Sequence, residues 1–173
     1  MDASPDYAEL HALSNFSFLR GASHAAELID RAHALGYRAL ALTDECSMAG
    51  VVRAHMRAKE LGLPLIVGSE FTLACGLKLV ALAATRRGYA QICALITRGR
   101  RAARKGSYRL VRADLLECIA PAPDCLLIWR PDEAALAAAA AQGQWLAAHY
   151  AGALWLGVSS LRNGNDAALL QAL

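Results

Sequence analysis

Apolar residues fall into three blocks of the same design. In the first, Leu28, Ile29, Ala32 and Leu35 line one side of a predicted helix that Ser23 can cap and Gly36 ends at its C′ position. A short apolar run from Tyr37 to Leu42 follows and stops at Thr43-Asp44-Glu45. In the second, a helical pattern from Met48 to Leu61 ends at Gly62, then come Leu63 to Gly68 and Ser69-Glu70. In the third, an alanine-rich helix from about Pro131 to Tyr150 ends at Gly152, followed by Ala153 to Val158 and Ser159-Ser160. Helix, glycine, buried strand, polar end is the alternation of a parallel sheet or barrel. Pro64 suits a strand's first position, where a missing N–H costs little.

Further strands are predicted at Tyr7 to Leu13, Leu77 to Ala84 and Leu126 to Arg130, and a long helix from Gly88 to about Arg104. At about 30 residues per βα unit, 173 residues hold five or six units, fewer than the roughly 250 residues of a closed parallel barrel. The expectation is an α/β chain forming an incomplete (βα) distorted barrel, with mostly parallel strands and outer helices. One domain over residues 1–173, truncated at its C-terminal end, is expected.

Composition narrows the class. The chain is 56% hydrophobic, and enough of that is leucine rather than alanine to build one core, which excludes a disordered chain. The five cysteines are far apart and form no CxxC, so neither a disulfide framework nor a zinc finger is expected. No long uncharged stretch suggests a membrane span, and Met1 to Asp6 lack a basic leader, so a cytoplasmic location is expected. The net charge of +3 conceals an asymmetry: residues 71–113 hold ten cations and no acid, against −7 elsewhere. Arg98, Arg101 and Lys105 fall at i, i+3 and i+7, and Arg100 with Arg104 at i and i+4, giving a cationic helix side. Only Tyr89 and Tyr108 supply rings nearby, so base stacking is poorly supported. A solvated face, a face packed on an acidic neighbouring domain, sequence-independent phosphate contact, or a dedicated partner-protein patch all fit.

Functional groups of α/β folds gather where strands end. Those positions hold His11, then Asp44 and Glu45, then Glu70. Gly36 to Asp44 and Gly62 to Glu70 are both eight residues, so the two carboxylates occupy equivalent places, while the same count from Gly152 reaches Ser160. One imidazole and three carboxylates could hold Mn²⁺, Mg²⁺ or Zn²⁺. Equally, Asp44 could cap the next helix and Glu70 pair with a cation.

The run from Tyr7 to Ser23, with Leu-Ser-Asn-Phe-Ser-Phe-Leu-Arg-Gly-Ala-Ser from Leu13 onward, resembles the opening of the PHP (polymerase and histidinol phosphatase) domain. So do Leu40 to Gly50, Ile66 to Phe71, Arg86 to Tyr89 and Ile96 to Leu110. The likeness is to the domain that begins the C-family bacterial DNA polymerases (the DNA polymerase III alpha type), and within them to the error-prone branch. It implies a PHP-type barrel and, in the intact protein, damage-induced translesion DNA synthesis. It implies as partners the remainder of the polymerase, DNA, the sliding clamp and translesion accessory proteins, and no membrane.

Metal-binding members of that family use an HxH pair, an Asp-His pair, a Glu and further histidines. Here His11, Asp44 and Glu70 match, whereas Leu13, Glu45 and Lys78 stand where histidines are expected. The later ligands are either replaced, at Ser159 and Ser160, or lie beyond Leu173. The resemblance therefore implies a vestigial metal site, with Lys78 and Glu45 as charge substitutes, no cofactor in this chain and a structural role. The alternative is a metal-dependent phosphoesterase or proofreading 3′–5′ nuclease with a reduced site.

Overall fold

The computed structural model describes residues 6–119, 124–131 and 136–158. Its elements run β1 (Ala8–Ala12), α1 (Ala25–Ala34), β2 (Ala39–Leu42), α2 (Val51–Leu61), β3 (Leu65–Thr72), β4 (Lys78–Ala83), α3 (Arg86–Arg101), α4 (Arg112–Cys118), β5 (Cys125–Trp129), α5 (Leu136–Tyr150) and β6 (Leu154–Leu156). Gly36, Gly62 and Gly152 take φ values of 72°, 70° and 83°, the left-handed turn that stops a helix and for which glycine alone carries no steric cost. The start of α1 departs from expectation. His24, not Ser23, is the cap, and the Glu27 carboxylate accepts its N–H at 2.7 Å. Helix α4 was not expected from the pattern; Asp114 accepts the Val111 N–H at 2.8 Å and Leu115 anchors it in the core.

The six strands form one sheet in sequence order. β1 pairs with β2, β2 with β3 and β5 with β6 in parallel, whereas β4 is antiparallel to both neighbours. The reversal at β4 follows from a short connection: the chain turns through Leu73 to Leu77, with Gly76 at φ 78°, and a parallel crossover needs a dozen or more residues. The sequence reading of mostly parallel strands with outer helices therefore holds at β1–β3 and β5–β6, with a hairpin between.

Helices α1 and α2 cover one end of the sheet through Ala25, Ile29, Ala54 and Ala58. Helices α3 to α5 cover the other through Ile92, Leu95, Leu115 and Leu146, against Phe71, Leu79 and Leu127. The small side chains of α2 let it lie close to the sheet. Gly143 plays the same part in α5, where a Cβ would come within 2.8 Å of the Trp129 ring.

The sheet curls. Arg130, just after β5, and His11, in β1, both touch Glu70 of β3. Strands β1 and β5 are four apart in the order, about 19 Å in a flat sheet, so only a strongly curved one brings them to one carboxylate. The hollow inside is a groove of about 990 Å³ lined by Tyr7, His11, Leu82, Arg130 and Trp155, among others. Ser159, Ser160 and the segment from Asp166 to Leu173 lie outside the described residues.

Candidate functional site

The exits of β2 and β3 lie side by side. Glu45 and Glu70 form an isolated parallel bridge, the Cys46 N–H donates to the Glu70 carbonyl at 2.8 Å, and the Ser69 hydroxyl donates to the Asp44 carbonyl at 2.7 Å. Three carboxylates thus stand within one short stretch of backbone, and each is satisfied differently.

Asp44 is 1% exposed and is bound by neutral donors from the loop between β1 and α1. Its Oδ1 accepts the Ser14 N–H and the Ser17 hydroxyl, both at 2.7 Å, and its Oδ2 accepts the Ser14 hydroxyl at 2.7 Å. Three short hydrogen bonds replace the water that burial removed.

Glu70, equally buried, is bound by charge. Arg20 donates to its Oε1, and Arg130 donates to its Oε2 at 2.7 Å. The His11 Nε2 lies 2.6 Å from the same Oε2, so that nitrogen carries its proton toward Glu70. The 3.3 Å approach of Arg130 to His11 Nε2 is then a meeting of two donors on one acceptor. Burial pushes the Glu70 carboxyl up, but His11 and Arg20 outweigh it and hold it down at about 2. Arg20 also donates to Glu45 Oε2 at 2.8 Å, while the Tyr108 hydroxyl donates to Glu45 Oε1 at 2.8 Å. Burial and that hydrogen bond to Glu45 both raise the Tyr108 hydroxyl well above its ordinary range.

This donor set does not suit a metal centre. Every carboxylate oxygen of Asp44, Glu45 and Glu70 already accepts a protein donor, and two guanidiniums already pair with Glu70, one of them also with Glu45. Among the described residues, no three His, Cys, Asp or Glu side chains converge to hold a metal. His11 and Glu70 are brought together, whereas Asp44 is turned to the serine loop. The countercharge expected at Lys78 comes, among the described residues, from Arg20 and Arg130; Lys78 itself stands opposite Thr72, on the sheet face of Glu70. Both arginines were missed in the sequence reading. The strand-end rule that points to the acids also covers Arg130, the last residue of a predicted strand.

The basic segment divides in two. Arg98 pairs with Asp114 at 3.1 Å and Glu117 at 2.5 Å on α4. Arg100 donates to the Cys46 and Glu45 carbonyls at 3.1 and 3.3 Å and lies over the Tyr108 ring. Both are exposed, yet each is already engaged by groups of this chain. Arg101, Arg104 and Lys105 are exposed and make no ion pair with a described residue. Among the described residues no helix is long and apolar enough to cross a membrane.

The PHP domain model matches residues 9–153. An error-prone DNA polymerase of Methylococcus capsulatus is 56% identical over 96% of this chain and 16% of its own length. That of Pseudomonas aeruginosa is 54% identical, over 96% and 16%. The chain therefore spans about a sixth of the curated relatives it matches. Among solved structures, a Bifidobacterium adolescentis protein described as a metal-dependent phosphoesterase matches with a TM-score of 0.60 at 14% identity, covering 98% of this chain and 84% of that one. An amidohydrolase from Chromobacterium violaceum matches at 0.57 and 18%, covering 94% and 81%. At these identities the likeness is one of fold.

Proposed function

Because the chain belongs to the PHP domain family and is similar along nearly its whole length to error-prone DNA polymerases, we propose that it serves such a polymerase as a structural domain. In this reading, ion pairs stand where a PHP metal centre would be. The observation that carries it is Arg20 bridging Glu45 and Glu70 while Arg130 holds the other oxygen of Glu70. A guanidinium neutralises carboxylates as a metal does, but it has no vacant coordination position and does not activate a water for attack on a phosphoester. The cluster therefore stabilises the strand ends and performs no hydrolysis.

The intact protein, on this reading, is a cytoplasmic enzyme that adds nucleotides opposite damaged template. Its partners are DNA, the sliding clamp and translesion accessory proteins, and residues 1–173 belong to its PHP domain. The exposed Arg101, Arg104 and Lys105 are available for a phosphate backbone or a neighbouring domain.

Purified protein dialysed with Mn²⁺ or Zn²⁺ tests the site. The expected result is no stoichiometric metal, and no phosphoester hydrolysis that differs from a His11→Ala control. Bound metal together with His11-dependent hydrolysis would establish instead a phosphoesterase or proofreading nuclease, the reading favoured by the placement of His11 on Glu70.

A further inference from the structure

The loop between β1 and α1 is anchored at both ends and shows large apolar side chains between the anchors. Ser14 and Ser17 are fixed on buried Asp44, and Arg20 is fixed on Glu45 and Glu70. The backbone is closed by Ser17 N–H to Ser14 carbonyl, and by the Arg20 and Gly21 N–H groups to the Ser17 carbonyl, each at 2.9 Å. Gly21 passes so near Ser14 that a Cβ would lie 2.0 Å from its carbonyl oxygen, so another residue there would force the loop apart. Within this frame Phe18 and Leu19 are 83% and 89% exposed, and Phe16 is 42% exposed. Leu19 adopts φ 60°, a backbone region unfavourable to leucine.

Scattered apolar residues on a surface need no explanation. Two neighbouring ones held outward on a loop this constrained, one with an unfavourable backbone, form a preorganised contact. We propose that Phe18 and Leu19 are a docking knob that enters an apolar pocket on the remainder of the longer polymerase, a proposal that rests on reading the chain as part of such a protein. Two observations select this partner. The matched relatives extend far beyond this segment, which covers 16% of their length. Charge is the second: Arg20 is the one charged residue from Leu13 to Ala22, and its guanidinium is engaged by two carboxylates. The loop therefore has no free cation for a phosphate, whereas the exit of α3 does. A rigid aromatic anchor loses little freedom on binding and is the type of side chain that dominates interfaces. The ion pairs at Glu70 thereby acquire a purpose, since Arg20 follows Leu19 directly and sets the base of the knob.

Photocrosslinking in the longer polymerase tests this. With Phe18 replaced by benzoylphenylalanine, irradiation is expected to join position 18 to residues after 173, read by mass spectrometry of the digested product. Leu19→Ser, exposed and so neutral to folding of this segment, is expected to lower the yield about tenfold. Attachment to primer–template DNA, to a second copy or to nothing overturns the proposal, as does an unchanged yield with Leu19→Ser. Metal content and DNA synthesis of the same preparation report separately on the reading of the domain: either could fail while the crosslink stands.

Discussion

Asp44 follows β2 and Glu70 lies near the end of β3, one register step apart, since Glu45 and not Asp44 stands opposite Glu70; both are 1% exposed, and they are satisfied in opposite ways. Asp44 receives one backbone N–H and two hydroxyls; Glu70 receives two guanidiniums and an imidazole. The difference lies in what surrounds each strand end. The serine loop folds directly over β2 and supplies short-range neutral donors. Glu70 of β3 instead meets long side chains from just after β5 and from the far end of the loop between β1 and α1. A buried carboxylate does not dictate the chemistry of its partners; the fold offers one set or the other.

If that distinction is right, removing the acceptor at Asp44 has the largest effect. Asp44→Ala leaves Ser14 N–H and two hydroxyls, on residues 0% and 3% exposed, without partners, and is expected to cost about 4 kcal/mol in denaturant unfolding. Asp44→Asn keeps an acceptor and most of the geometry, so it should recover most of that loss. Equal damage from Asn and Ala would show that the charge matters at Asp44 after all.

At Glu70 the charge itself carries the stability. Its carboxyl titrates at about 2 in the folded chain against an ordinary 4.5, a difference of about 3 kcal/mol. A lowered folded value stabilises above the unfolded pKa, so this contribution is complete above pH 4.5 and is lost as pH falls toward 2. Glu70→Gln should flatten the pH dependence of stability across that window. A variant retaining the full acid sensitivity of the parent would place the titrating group elsewhere.

A smaller loss, about 2 kcal/mol, is expected for Arg20→Met, because Arg130 and His11 still face Glu70. The informative readout is the Glu70 carboxyl, followed by NMR: it should titrate at higher pH than in the parent. An unmoved titration would mean that Arg130 and His11 alone hold the charge, and the bridge to Glu45 would then matter for the loop only.

Much of this was readable along the chain. Each predicted strand is present, and Gly36, Gly62 and Gly152 end helices as their spacing implied. Helix α4 was not read because its seven residues offer one buried anchor, Leu115, too little for a period. The direction of β4 is set by the short link from β3, a signal that the repeated helix–strand blocks on either side obscure. That His11, Asp44, Glu45 and Glu70 stand near strand ends was readable because strand ends are local features. Arg98 and Arg100 are exposed, as a cationic helix side implies, but sequence shows a helix's charge and not the acids and carbonyls that the next elements bring to it.

What the sequence determined by itself was the order of the elements and the placing of a histidine and three carboxylates at strand ends, since glycine stops and apolar runs act over a few residues. Which cation meets which carboxylate was decided only by the tertiary structure. Arg130 is 60 residues from Glu70 and 119 from His11, and their meeting depends on the curl of five strands that no local pattern records. That Arg20 and Arg130, from two distant segments, meet on Glu70 is likewise visible only in the tertiary structure.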